Sequence, residues 1–178
     1  MMKTLFIEKS TSRARSGDWA EALDLSALDR IVVGTGPGSF AGIRSAIAFA
    51  RGYALGSGCE VFGMPSACAL ACEGEPRAVV GDARRGMFWV ALFDGYSLVC
   101  DIFQTTREEL EKRVPRGVKV TTPDAERIDA ELKEIFAENY IGGGVVDEEG
   151  LRRFAEANPS ILKADPLPIY LNPAVREN

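Results

Sequence analysis

The chain of 178 residues contains no histidine. That absence excludes the H-E-x-x-H metalloprotease pattern and every triad or general base that depends on imidazole. Long apolar runs are missing too: none reaches the roughly 18–20 residues that cross a bilayer. The nearest, Ser39–Leu55, is interrupted by Arg44, Arg51 and Gly52. The apolar stretch before Glu8 is too short for a secretory signal, so a cytoplasmic location and no membrane partner are the expectation. No C-x-x-C pair occurs among Cys59, Cys68, Cys72 and Cys100. Cys68 and Cys72 share a helix face among alanines, and the four read as buried free thiols rather than metal or redox groups. Basic surplus is also lacking. Residues 1–100 hold ten acidic and ten basic side chains and residues 101–178 sixteen and eleven, which gives the net charge of −5. A chain that grips a nucleic-acid backbone alone needs the opposite balance, so any nucleic acid would be held mainly by another subunit.

What is present is a soluble-type composition, 46 % apolar and 26 % charged, with length for one good-sized domain or two small ones. The most informative stretch is Gly34-Thr35-Gly36-Pro37-Gly38-Ser39-Phe40-Ala41-Gly42-Ile43-Arg44, between the apolar Ile31-Val32-Val33 and an alanine-rich helix. A glycine turn from strand to helix N-terminus suggests an anion, because unpaired amides and the helix dipole both favour one. The spacing fits neither common phosphate fingerprint. G-x-G-x-x-G would need glycine where Ser39 stands, and the P-loop would need a lysine that Gly34–Arg51 lacks. The loop therefore reads as a tight turn made for close packing.

Elsewhere the pattern alternates. Thr4–Ile7 and Ile31–Val33 predict buried strands, Trp19–Leu28 a short helix, Ser39–Leu55 a long one stopped by Gly56-Ser57-Gly58, and Glu60–Gly63 a strand. Ser66–Glu73 predicts a helix with Ser66 as its cap. Arg77–Gly81 and Met87–Asp94 predict a hairpin turning at Gly86, with Ser97–Gln104 as a further strand. Thr106 opens a short helix, Val118–Thr121 is a strand, and Ile128, Leu132, Ile135 and Phe136 form the stripe of another helix. Asp147 caps a helix running through Ala157, and Asp165–Pro173 reads as an extended edge. The expectation is an α/β protein of two lobes, 1–98 and 99–178.

The first motif resembles the G-x-GPGSF-[TA]-G-[LVI]-R signature of the TsaB family, accessory proteins of bacterial tRNA threonylcarbamoyladenosine synthesis. Three more stretches are similar in order: Pro65-Ser66-Ala67, Asp82-Ala83-Arg84-Arg85-Gly86 before Phe88-Trp89, and Pro168-Ile169-Tyr170-Leu171. The resemblance covers about residues 31–178. It implies an actin/Hsp70-like (ASKHA) fold with a trimmed N-terminal lobe, because only 23 residues, Glu8–Arg30, separate the first strand from Ile31. It also implies a non-catalytic scaffold that pairs as a heterodimer with a TsaD-like threonylcarbamoyl transferase. A TsaE-like ATP-binding protein would join them, with ATP and magnesium on partner subunits, no cofactor on this chain alone, and tRNA bound through the complex. A homodimer in the partner's absence stays open.

The Ser39–Leu55 helix is apolar nearly all round, which demands burial on every side. Gly42, Ala46, Ala50 and Ala54 are small at helical spacing. If they face outward they form a seam for a partner helix, bordered by Ile43 and Ile47, with Arg44 and Arg51 at the rim. Gly34, Gly36, Pro37, Gly38, Ser39 and Phe40 are the signature loop. Glu8 and the turn Gly142, Gly143, Gly144 are candidate nucleotide contacts, and Arg84 and Arg85 could touch RNA phosphate or simply lie in solvent. The alternative function is a small actin-fold ATPase or kinase using Glu8, Asp82 and the glycine turns. No metal-binding set is expected.

Overall fold

The computed structural model describes residues 2–11 and 24–171. The chain forms two compact units, Met1–Ala69 with Val146–Pro168, and Leu70–Val145 with Ile169–Asn178.

In the first unit, β1 (Thr4–Ile7), β2 (Arg30–Gly34) and β3 (Glu60–Met64) pair in parallel, and β10 (Lys163–Ala164) adds antiparallel to β3. Side chains alternate across the sheet. Ile7, Ile31 and Val33 pack with Ile43, Ala46, Ile47 and Ala50 of α1 (Phe40–Ser57). α4 (Glu148–Ala157) lies on β1 and buries Leu151 and Phe154, with the Arg152 guanidinium 5.7 Å from the Phe6 ring centre. A central parallel strand covered on both faces is a continuous apolar run, as Ile31-Val32-Val33 is. Gly58, in the left-handed region at φ 74°, ends α1 by donating its N–H to the Ala54 carbonyl at 2.8 Å.

In the second unit, β4 (Pro76–Arg84) and β5 (Met87–Asp94) form the expected hairpin, and β8 (Lys119–Thr122) and β9 (Tyr140–Gly143) extend the sheet in parallel from β4. α2 (Arg107–Arg113) and α3 (Ala125–Phe136) place Leu110, Ile128, Leu132 and Phe136 in a core with Val80, Phe88, Val90 and Val120. The Tyr140 hydroxyl donates to Asp129 at 2.8 Å, and burial, then that carboxylate, hold the phenol above its ordinary range.

Several expectations are corrected. The predicted strand Ser97–Gln104 is two strands, β6 (Ser97–Leu98) and β7 (Phe103–Thr106), both antiparallel to the long β5. Residue 98 therefore lies inside one sheet, and the units part at 69/70, 145/146 and 168/169 instead of 98/99. The physical reason is that α1 covers only one face of the β1–β3 sheet, and α4, from the last third of the chain, covers the other. Ser66–Glu73 is only a short 3-10 turn, Ser66–Leu70. The two residues of β10 precede the expected edge Asp165–Pro173. Residues 165–171 form no strand, and Asn172 and Pro173 lie outside the described residues. Most of the predicted helix Trp19–Leu28 also lies outside them, and residues 26–27 are turn. Cys59 and Cys68 are buried as expected, with the Cys68 thiol pushed up by burial. Cys72 is half-buried, and Cys100, in the link between β6 and β7, is exposed. Among the described residues, no helix is long and apolar enough to cross a membrane.

Candidate functional site

The signature loop is built by three neighbouring segments of the first unit. Thr35 donates both its N–H and its hydroxyl to the Met64 carbonyl, at 2.9 and 3.0 Å. Gly36 and Ser66 are joined twice. The Gly36 N–H donates to Ser66 Oγ at 2.9 Å, and the Ser66 N–H returns a bond to the Gly36 carbonyl at 2.8 Å. This explains the missing helix after Ser66, whose hydroxyl serves the loop rather than its own first turn. The peptide Gly36–Pro37 is cis. Ser39 caps α1, its Oγ accepting from the Gly42 N–H at 3.4 Å, and its own N–H donates to the Ser10 carbonyl.

The third segment, residues 8–10, gives the glycines their purpose. A Cβ on Gly34 would strike Glu8 Oε2, one on Gly38 the Ser10 carbonyl, and one on Gly42 the Lys9 carbonyl. Gly38 also sits at φ 155°, where side-chain-bearing residues are rare. The segment after β1 thus crosses the α1 N-terminus at backbone contact. The loop is a clasp around its own chain, not an open anion cradle.

Ser66 is the residue that sequence reasoning undervalued. Its place two residues past Met64, facing a glycine loop 30 positions earlier in the chain, gives no local signal. Ser66→Ala is expected to cost about 1–3 kcal/mol, the penalty of a buried N–H left without an acceptor. Urea unfolding will measure it, and an unchanged midpoint would show that Gly36 finds another partner.

Glu8 is 4 % exposed. Its Oε1 accepts from the Ser10 N–H, and its own N–H donates to Glu148 Oε1 at 3.4 Å. Burial raises its carboxyl above the ordinary range, with Glu148 adding to the effect and bonds from Ser10 and Ser66 opposing it. Gly142–Gly144 belong to the second unit, where the Thr121 hydroxyl donates to the Gly142 carbonyl at 2.8 Å and the Gly144 N–H to the Thr122 carbonyl at 2.9 Å. The expected turn is corrected: Gly142 and Gly143 end strand β9, Gly144 follows it, and the three are fastened to β8. Asp82 accepts from the Arg84 N–H at 2.7 Å and from the Arg84 and Arg127 guanidinium groups at 3.2 Å each. Arg84 is therefore committed to the hairpin, while Arg85 is exposed at its tip. No cluster of three metal-ligating side chains occurs among the described residues.

The outward seam expected on α1 is corrected. Ile43, Ala46, Ile47 and Ala50 are buried against the sheet, and Gly42 and Ala54 are half-buried. Arg51 donates to the Pro166 carbonyl at 3.0 Å instead of lying at a partner's rim. The exposed face is the opposite one: Ala41, Ser45, Ala48 and Gly52, then Leu55 at 92 % exposure. Phe40 begins this face, with the Arg44 guanidinium 4.9 Å over its ring. Alanine lines both faces, because helix-to-sheet contact needs small side chains as much as a solvent stripe tolerates them.

The fold has close counterparts. YeaZ from Pseudomonas aeruginosa superposes with a TM-score of 0.71 at 19 % identity, over 96 % of this chain and all of that one. An uncharacterized protein described as similar to the peptidase YeaZ, from the same organism, gives 0.66 at 19 % identity, over 97 % of this chain and all of that one. Uncharacterized proteins of Mycobacterium tuberculosis and Mycobacterium bovis are 36 % identical over 80 residues, 44 % of this chain and 38 % of each relative. The match thus spans less than half the length of those curated relatives. Residues 20–140 match the family model of TsaD, tRNA N6-adenosine threonylcarbamoyltransferase. With that match over most of its length, and with the mixed α/β architecture described above, the chain belongs to the TsaD family.

Proposed function

We propose that this chain is a TsaB-like, non-catalytic scaffold of tRNA threonylcarbamoyladenosine synthesis, which pairs with a TsaD-like transferase through the exposed face of α1. The observation that carries the reading is that face. Ala41, Ser45, Ala48, Gly52 and Leu55 are spaced four, three, four and three residues apart. This is the rhythm of a helix seam that a second helix can approach closely. The partner follows from the TsaB-like reading, which pairs this member of the family with a catalytic one. A TsaE-like ATP-binding protein, ATP and magnesium on the partner subunits, tRNA held mainly by the complex, and a cytoplasmic location complete the proposal. A second copy is the natural occupant of the same face when the transferase is absent.

The alternative, an independent ATPase or kinase, draws no support from the buried Glu8 or the committed Asp82. Peptidase chemistry of the histidine-dependent kinds is excluded by composition. The test is co-purification with the TsaD-like subunit. Ala48→Glu sets a charge in the middle of the exposed stripe, where it stays hydrated in the free chain but loses its water in the complex. The variant is expected to fold normally and to bind more than tenfold more weakly. Normal binding by the folded variant would remove α1 from the interface.

A further inference from the structure

Glu8 has no part in the scaffold role, and its surroundings are unusual. Oε1 accepts from the Ser10 N–H. Oε2 is buried against Gly34 and makes no full hydrogen bond among the described residues, the Ser66 hydroxyl easing its charge only from beside it. An ionised carboxylate so placed holds a charge away from water, with the Ser10 N–H and weaker help from the Ser10 and Ser66 hydroxyls in compensation, a costly arrangement. Among the described residues, Glu148, Asp147, Arg152 and Arg44 do not relieve the cost. On α4, Glu148 brings a second carboxylate to the Glu8 N–H, and Asp147 is occupied in capping the Gly150 N–H at 2.8 Å. Arg152 lies over Phe6 and within 3.9 Å of Glu149. On the 66–70 turn the Cys68 thiol stays protonated through burial. At the start of α1, Arg44 covers Phe40. Lys9 follows Glu8 in the chain, and β2 with the loop through Ser39 supplies no ionisable group beyond Arg30 at the strand's far end.

We propose that the folded chain carries Glu8 as the neutral acid, and that ionising it is a built-in trigger which loosens the junction of β1, the signature loop and Ser66. As an acid, Oε2–H gives this corner a further donor, with the Ser66 hydroxyl oxygen beside it as acceptor. The direction of the Glu8 shift, caused first by burial and then by Glu148, agrees with this geometry. Folding then takes up a proton wherever the unfolded chain has already lost its own. Stability is full below the ordinary carboxylate range and declines as pH rises through the interval up to the folded group's own titration.

The absent histidines make the test clean, because no side chain of ordinary pKa changes charge between about pH 5 and 8. Urea midpoints of the full chain are measured across that interval for the wild type, Glu8→Gln and Glu148→Gln. The wild-type midpoint is expected to fall with rising pH. Glu8→Gln, the shape of the neutral acid without its proton, should hold a flat midpoint that exceeds the wild type at the alkaline end. Glu148→Gln should shrink the wild-type decline. A flat wild-type profile, or the same decline in Glu8→Gln, would overturn the proposal. If Glu8→Gln does not fold, carbon-13 NMR of the wild-type carboxyl groups decides. A glutamate resonance that titrates above the ordinary range supports the neutral acid, and ordinary titration of all of them refutes it.

Discussion

Ala50→Glu is expected to unfold the first unit. Ala50 has 0 % exposure and lies on the face of α1 that meets Ile7, Ile31 and Val33. A glutamate there must either hold an unpaired charge among aliphatic side chains or push the helix off the sheet. The former costs about 3–5 kcal/mol, a large share of the roughly 5–15 kcal/mol that stabilises a typical protein. Circular dichroism and thermal melting will read the loss. Ala48→Glu, two positions along the same helix but on the exposed face, is the matched control and should melt like the wild type. Were Ala50→Glu to fold and melt normally, the assignment of the two faces would be inverted and the seam would belong to Ala46, Ala50 and Ala54 after all.

Gly38→Val should produce the next largest loss. Two independent objections meet at this position. The backbone stands at φ 155°, and the new Cβ would collide with the Ser10 carbonyl. The first is worth about 1–3 kcal/mol at a special backbone site. The second displaces an acceptor of the Ser39 N–H, which adds about 1 kcal/mol for the broken bond. At about 2–4 °C per kcal/mol for a chain of this size, the melting point should drop visibly. A variant that melts unchanged would show that residues 8–10 are free to move away from the loop, and the clasp would be an incidental contact.

The strands and the long helices were legible because their signals are local. Ile31-Val32-Val33 could only be a covered strand, and Ile128, Leu132 and Phe136 recur at helical spacing with charges between them. The cap at Asp147 and the stop at Gly58 were readable for the same reason. What escaped was set by distant partners. Ser66 has the chemistry of a helix cap, and its hydroxyl is taken by a glycine N–H 30 residues away in sequence. The two faces of α1 were indistinguishable by residue type, since Ala46 and Ala50 inside match Ala41 and Ala48 outside. Hydropathy sees the same side chain in both places. Only Ile43 and Ile47 separate the faces, and with Phe40 and Leu55 on the other side the apolar residues do not point one way. The division between units was missed because α4 returns from far along the chain to cover β1. Glu8 is a candidate nucleotide contact by sequence, and its burial is set by a distant residue, since only Gly34 leaves it room.

The crossing of residues 8–10 over the start of α1 also fixes where this architecture can vary. Among the described residues, the contacts that the signature glycines make with the connection between the first two strands fall on Glu8, Lys9 and Ser10. The described bonds of the loop therefore depend on the seating of residues 8–10 and do not depend on the length of the connection as such. Such a motif certifies the seating of one strand-end against one helix. It is silent on whether the surrounding protein performs any reaction.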